Sequence, residues 1–155
     1  MTCAAMNLAD EAATASIAER LAGQIKPGDI IALSGGLGAG KTTFVRHLLR
    51  ALGHEGEVPS PSFAIVVPYD HMMLAVLLHA DLYRIEDPSE LAEIGLDSIG
   101  DDVALLVEWP ERAGPSAWPD ALGLTLEITG PEQRRLTAIV PAAWEGRWPP
   151  PPIPR

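Results

Sequence analysis

At 155 residues the chain is about one domain long, enough to bury a single substantial core. Its residues are 47% apolar and 21% charged, the composition of a folded globular protein, so most of the chain is expected to fold. The formal charge of −10, from 11 basic and 21 acidic side chains, excludes a broad, self-sufficient nucleic-acid surface, and any work on RNA or DNA is expected to go through a partner.

Near the N-terminus stands the only cysteine, Cys3, which rules out an intrachain disulfide and a multi-cysteine zinc site. The basic n-region of a secretory signal is lacking, and the chain reads as cytoplasmic. Residues 10–23 read as a first helix, with Asp10 as its cap, Ala13, Ile17 and Leu21 on one face, and Gly23 as its stop. Thr14 lies in its first turns, where a lone threonine is usually a surface residue.

The strongest signal follows. Asp29 to Ser34 is a short apolar run of strand length after the breaker pair Pro27-Gly28. Gly35-Gly36-Leu37-Gly38-Ala39-Gly40-Lys41-Thr42 then fits G-x-x-x-x-G-K-[ST] at every fixed position. Phe44, Val45, Leu48, Leu49 and Leu52 recur at helical spacing up to Gly53. In this strand–loop–helix context the glycines let successive backbone N–H groups converge on a phosphate at the positive end of a helix. Lys41 reaches the β- and γ-phosphates, and the Thr42 hydroxyl, with Thr43 beside it, opens the helix where Mg²⁺ would sit. The segment is read as binding a nucleoside triphosphate through Gly36, Leu37, Gly38, Ala39, Gly40, Lys41, Thr42 and Thr43.

Gly53 to Ser62 is rich in glycine and proline and reads as a mobile loop. A strand is expected over Phe63–Val67 and a turn at Pro68–His71. A second strand is expected from Met72 to Ala80, the two forming a hairpin or neighbouring strands. Met72–Leu78, the longest apolar run, is far too short to span a bilayer. Asp87-Pro88-Ser89-Glu90 starts a helix, with Asp87 as cap and Pro88 at the first helical position. Val103–Glu108 is a buried-strand pattern finished by a carboxylate, and Pro110–Gly114 is a short connection. Leu122, Leu124, Leu126 and Ile128 alternate with Gly123, Thr125 and Glu127 as a half-buried strand. Leu136–Val140 is a strand with which it pairs. Residues 1–143 are read as one P-loop domain, and residues 144–155, with Pro149–Pro152 and Pro154, as an extended, poorly ordered tail.

A phosphate loop binds, but hydrolysis also needs Mg²⁺, positioned charge and an oriented water. Magnesium uses one or two carboxylates and keeps several waters. Glu108, at the end of an apolar strand, emerges at the carboxyl edge of a parallel sheet, where the P-loop also lies. Asp81 closes another apolar strand, and His79, two residues before it, points to the same side. His79 and Asp81 lack a third ligand for zinc, and a place near Mg²⁺ or the attacking water fits them better; a structural pairing of Asp81 with Arg84 is the alternative. Ser60-Pro61-Ser62 carries hydroxyls where nucleotide-sensing loops sit in related architectures. Trp109, directly after Glu108, either stacks on a partner or caps the core.

With these pieces in order the chain resembles the TsaE family, small bacterial ATPases of tRNA threonylcarbamoyladenosine biosynthesis. The likeness runs from about Asp10 to about Val140. It is carried by Asp10-Glu11-Ala12-Ala13-Thr14, Gly38 to Phe44, Ser60-Pro61-Ser62-Phe63, His79-Ala80-Asp81-Leu82-Tyr83-Arg84 and Leu106-Val107-Glu108-Trp109-Pro110. The His-x-Asp-Leu-Tyr-Arg and Val-Glu-Trp-Pro segments are much more specific than the P-loop.

The resemblance implies that Thr14 lies beside the base of ATP, that Gly38–Lys41 cradle the phosphates, and that Thr42 and Glu108 hold Mg²⁺. It further implies that Asp81 is needed for hydrolysis and that the Ser60–Ser62 loop, with Ser62, acts as a switch. Lys41, Asp81 and Glu108 are thus the expected catalytic set, and Thr42, Glu108 and Asp81 the expected surroundings of the metal. The implied role is ATP hydrolysis on a complex of the TsaB and TsaD proteins, in which TsaD transfers the threonylcarbamoyl group to adenosine 37 of tRNAs reading codons that begin with A. The acidic charge fits, since the partners would carry most of the tRNA contact.

Gly36 stands where the family commonly has Asp, Ser62 where it has Thr, and Ala80 where it has an aromatic. Arg134 or Arg135 aligns loosely with a family arginine near the nucleotide. The expected fold is an α/β, P-loop NTPase-like three-layer domain, a mostly parallel central sheet with an antiparallel extension. Two other functions fit a P-loop: a small-molecule or nucleoside kinase, which needs an acceptor pocket and an arginine-rich lid, and a nucleotide-gated scaffold that does not hydrolyse.

Overall fold

The computed structural model describes residues 1–59, 66–69, 76–96, 99–114 and 116–152. The Ser60–Ser62 loop, most of the expected Phe63–Val67 strand and the start of the Met72–Ala80 run lie outside them.

At the centre, the apolar run before the glycine loop forms strand β2 (Ile30–Gly35), and the helical pattern after the loop forms α2 (Lys41–Ala51). Helix α2 ends as its glycine predicts: Gly53 takes φ 106°, and the N–H groups of Gly53 and His54 bond to the carbonyls of Arg50 and Leu49. The first helix, α1 (Glu11–Ala22), is capped by Asp10, whose carboxylate accepts from the Ala13 N–H at 2.9 Å. The remaining elements are β1 (Thr2–Leu8), β3 (Val66–Tyr69), β4 (Leu77–Asp81), a one-turn α3 (Glu90–Glu93), β5 (Ala104–Glu108), β6 (Leu122–Ile128) and β7 (Arg134–Val140). Two 3₁₀ turns, Pro110–Ala113 and Ala142–Trp144, complete the set.

The strands form one seven-stranded sheet in the order β1-β7-β6-β2-β5-β4-β3. Its inner four strands, β6, β2, β5 and β4, are parallel, while β1, β7 and β3 pair antiparallel at the two sides. The centre of the sheet is thus parallel and its extensions antiparallel, as the sequence leads one to expect. On one side β7 returns directly beside β6, and β1, the first strand of the chain, closes that side by pairing with β7, the last.

Residue alternation assigns the two faces. Ile31 and Leu33, Leu77, Ala104 and Leu106, and Leu122, Leu124 and Leu126 join the large cluster beneath α1 and α2, with Phe44, Leu48 and Leu21. Ala80, Leu105 and Val107, pointing the other way, form a smaller cluster with Leu91, Leu96 and Ala113 from α3 and the turn after β5. Helical layers cover both faces, giving the expected three-layer architecture. Among the described residues no helix is long and apolar enough to cross a membrane.

Four local readings change. Strand β1, with little alternation to announce it, adds to the edge by pairing with β7 from Thr2↔Val140 to Leu8↔Arg134. Pro68 and Tyr69, expected in a turn, belong to β3, an edge strand that tolerates a proline lacking N–H. Asp87 does not cap α3. Its carboxylate accepts from the Ser89 N–H at 2.9 Å, a bond that holds its pKa below the ordinary value, and the helix begins after Ser89.

The tail is the fourth. From residue 144 it was expected to fray, yet Trp144 is fully buried, Trp148 is 8% exposed, and both join the large cluster. The Arg147 guanidinium lies 3.9 Å from the Trp144 ring centroid and bonds Asp29 at 2.6 and 3.0 Å. Arg20 Nε donates to the Pro150 carbonyl at 3.1 Å. Proline content argued for an unpaired backbone, but two indoles and a bidentate ion pair supply the burial that dock residues 144–150 against α1.

Candidate functional site

Parallel pairing brings the carboxyl ends of β2, β4, β5 and β6 to one rim. Strand β1, antiparallel to β7, runs the same way as β6 and delivers Asp10 and the start of α1 to that rim as well.

The loop after β2 is shaped by glycines in conformations other residues avoid. Gly38 and Gly40 have φ of 78° and 104°, and a Cβ on Gly35 would stand 2.6 Å from the Leu126 carbonyl oxygen. Gly40 caps α2 without any side-chain bond, and the first intrahelical bond is from the Phe44 N–H to the Gly40 carbonyl at 2.9 Å. The N–H groups of Lys41, Thr42 and Thr43 thus stand at the positive end of an eleven-residue helix, the geometry that receives phosphate. Lys41 is buried; its ammonium donates to the Gly35 carbonyl and, at 3.5 Å, to that of Gly36.

Gly36, Leu37, Gly38, Ala39, Gly40, Lys41, Thr42 and Thr43 line a cavity of about 270 Å³ together with Asp81, Glu108 and Trp109. The two acids come from strands 27 residues apart in sequence, yet Asp81 pairs with Glu108 in the β4–β5 register. The Leu82 N–H continues that pairing by donating to the Glu108 carbonyl at 3.0 Å. Asp81 Oδ1 accepts from the Tyr83 N–H at 2.9 Å, and Glu108 Oε2 lies 2.7 Å from His79 Nε2. Both carboxylates are buried, with 7% and 4% exposure.

Trp109 turns the chain sharply, with φ 56° and ψ 49°, a left-handed conformation costing a non-glycine residue about 1–2 kcal/mol. That turn lays its ring 4.3 Å from Lys41 Nζ and 5.0 Å from the Tyr83 ring. The ring is also packed, partly buried, against the smaller apolar cluster, so of the two roles open to it from sequence Trp109 caps the core, on the side that meets the P-loop lysine.

A second cavity, about 420 Å³, adjoins the first through Gly40 and Thr43. Thr14, Asp10, Glu11 and Arg134 line it. Thr14 is 5% exposed and stands in line with Ile17, Ala18 and Leu21 on the buried stripe of α1, a helical spacing that places it inward and beside the P-loop. Arg134 Nε donates to the Ala39 carbonyl at 3.1 Å, whereas Arg135 faces Glu127 at 3.8 Å on the exposed sheet surface. Of the two arginines, Arg134 belongs to the site. Ser62 lies outside the described residues. A larger cavity, about 940 Å³, is remote from the loop, between α1, the end of α2 and Pro151–Pro152.

The donor set is all oxygen: two carboxylates and a threonine hydroxyl around the mouth of a phosphate loop. Hard Mg²⁺ is held by one or two carboxylates, with waters and phosphate oxygens completing its shell, so these residues fit it. Among the described residues no cluster of three or more His, Cys, Asp or Glu forms a closed metal cage.

The model of one family, described as threonylcarbamoyl adenosine biosynthesis protein TsaE, matches residues 8–136. A Bacillus subtilis protein, named tRNA threonylcarbamoyladenosine biosynthesis protein TsaE, is 39% identical over 126 residues, covering 80% of this chain and 77% of its own. Its namesake from Rickettsia felis is 34% identical over 134 residues, covering 86% and 77%. The crystal structure of Bacillus subtilis YdiB superposes with a TM-score of 0.67 at 30% identity, over 88% of this chain and 84% of that one.

Proposed function

The chain belongs to the TsaE family of tRNA threonylcarbamoyladenosine biosynthesis proteins, and we propose that its part in that pathway is Mg²⁺-dependent hydrolysis of ATP on a TsaB–TsaD complex. One observation carries the reading: two acids from distant strand ends share a single cavity with the opening of the P-loop helix.

The amides at the start of α2 and the Lys41 ammonium bind the β- and γ-phosphates and hold them in line for attack. Thr42, Glu108 and Asp81 hold Mg²⁺, which when bound neutralises charge on the phosphate oxygens. Asp81, anchored by the Tyr83 N–H, also stands where a water can be oriented toward the γ-phosphate. The base and ribose occupy the adjoining cavity, against Thr14 and Arg134. Ser62, from the loop after α2, is assigned to sensing the γ-phosphate.

Among the described residues neither an arginine finger nor a water-orienting glutamine can be assigned, so the isolated protein is expected to turn over slowly and the partners to accelerate it. With its acidic charge the chain reaches tRNA only through those partners.

Co-purification with TsaB and TsaD, with and without ATP, followed by tRNA modification with this chain omitted, tests the partnership. Phosphate release from ATP is expected to rise in the assembled complex, and to fall about a hundredfold or more in Glu108→Ala and Asp81→Ala, a loss of about 3 kcal/mol from transition-state stabilisation. Unchanged release in both variants, or equal rates for the free and assembled chain, refutes the reading. Transfer of phosphate to an added small-molecule acceptor would favour a kinase instead.

A further inference from the structure

His79, placed near the metal or the attacking water by its spacing from Asp81, is 2% exposed and does not line the P-loop cavity. It sits in β4 on the α2 face of the sheet, flanked by Leu77 and Asp81 on the same side. Leu106 is its register partner in β5 and Glu108 faces Asp81, so His79 stands diagonally behind the Glu108 carboxylate. Its Nε2 meets Glu108 Oε2 at 2.7 Å, while its Nδ1 is buried with no hydrogen-bond partner among the described residues.

An imidazole is a poor choice for packing at such a place. Burying a ring nitrogen without a partner costs free energy that leucine or methionine would avoid. The bond to Glu108 is the return on that cost. A carboxylate oxygen accepts, so Nε2 carries the proton, and a neutral ring then has a bare Nδ1.

We propose that His79 is a positioning residue for the magnesium site. By donating Nε2–H to Oε2 it fixes the rotamer of Glu108 and leaves Oε1 to face the cavity shared with Thr42 and Asp81. A buried carboxylate on the last residue of a strand would otherwise swing about its side-chain torsions, and each binding of the cation would have to freeze it again. The cross-strand bond also ties the ends of β4 and β5, so the two acids keep their spacing. This proposal rests on the reading of the cavity as a site for Mg²⁺ and ATP.

The test is nucleotide binding by the full chain, titrated with a non-hydrolysable ATP analogue, without Mg²⁺ and across a Mg²⁺ series. Three substitutions separate reach from chemistry. His79→Leu removes the donor, His79→Gln carries an amide N–H₂ as far as Nε2, and His79→Asn carries the same amide but too short to touch Glu108. Loss of an outer-shell partner costs metal affinity about 10–100-fold. The Mg²⁺ concentration for half-maximal binding is expected to rise by that factor in His79→Leu and His79→Asn. In His79→Gln it should return to within about threefold of the parent, and affinity without Mg²⁺ should stay within about twofold in all three.

An unchanged Mg²⁺ requirement in His79→Asn overturns the proposal. So does an equal loss with and without Mg²⁺, which is the mark of a packing role, or a His79→Gln no better than His79→Asn. Should His79→Leu fail to fold, the Gln–Asn comparison decides alone. Failure of the ATP reading is seen separately, in the parent protein: if it binds no nucleotide, or binds it without regard to Mg²⁺, both proposals fall together. If the parent depends on Mg²⁺ and the variants do not differ from it, only His79 is misassigned.

Discussion

Trp144→Ala measures whether the C-terminal segment belongs to the core. The indole is fully buried in the cluster beneath α1 and α2, and truncating a buried tryptophan to alanine costs about 3–5 kcal/mol through lost transfer energy and the cavity left behind. Arg147 loses the ring it covers at 3.9 Å but keeps Asp29, so its contribution to the loss is small, about 0.5–1 kcal/mol at a site open to water on one side. Against a total stability of about 5–15 kcal/mol, this is about a fifth or more of the whole. A domain of this size loses about 2–4 °C of Tm per kcal/mol, so thermal unfolding should move down by about 6–20 °C. In urea the midpoint should fall with the slope unchanged, since the folded and unfolded states stay the same. Ile128→Ala, at a side chain 58% exposed, is the control and should shift stability by less than about 0.5 kcal/mol. If Trp144→Ala lies within that same margin, residues 144–152 are a frayed end after all and the core stops at Val140.

Two adjacent glycines should behave oppositely under thermal unfolding. Gly35→Ala forces a Cβ to within 2.6 Å of the Leu126 carbonyl at φ 148°, and should cost about 2–4 kcal/mol of backbone strain and overpacking, whereas Gly36→Ala meets nothing within 4 Å and should be neutral or up to about 1 kcal/mol stabilising. Equal effects would refute the loop geometry. Arg134→Ala removes the donor to the Ala39 carbonyl, a charge-assisted bond of about 1.5–3 kcal/mol that holds the loop, and a wall of the second cavity; ATP binding in a titration is expected to weaken, and unchanged affinity would move the base elsewhere. Tyr69→Phe should not destabilise at pH 7, because the Tyr69 hydroxyl is buried with no hydrogen-bond partner. Burial raises the Tyr69 pKa above its ordinary value, so the unfolded chain loses that proton first. The parent should therefore lose stability relative to Tyr69→Phe once the pH climbs past about 10, and parallel pH profiles of urea stability would contradict this.

What the amino-acid sequence determined by itself was the strongest of its local signals, though not all of them, since Asp87 and Pro68 were placed otherwise. A glycine loop between an apolar strand and an amphipathic helix carries its own mechanism, because positive φ values and unpaired helix N–H groups depend on neighbouring residues only. Asp10 as a cap, Gly53 as a stop and the alternation of β6 and β7 were legible for the same reason. The strands ending in Asp81 and Glu108, and their convergence on the P-loop rim, are expected from sequence, but that the two acids stand directly opposite each other depends on the register that pairs β4 with β5. Register also decided that His79 stands behind Glu108 rather than beside a zinc ligand set, and that Arg134 rather than Arg135 reaches the loop. Thr14 reads as surface when judged by its hydroxyl alone, but it lies on the same helical stripe as Ile17, Ala18 and Leu21, and only the tertiary structure sets that stripe's first turn beside the P-loop. The tail was misread because a run of prolines speaks only for its own backbone, while the two tryptophans before and within it are buried by helices a hundred residues earlier in the chain.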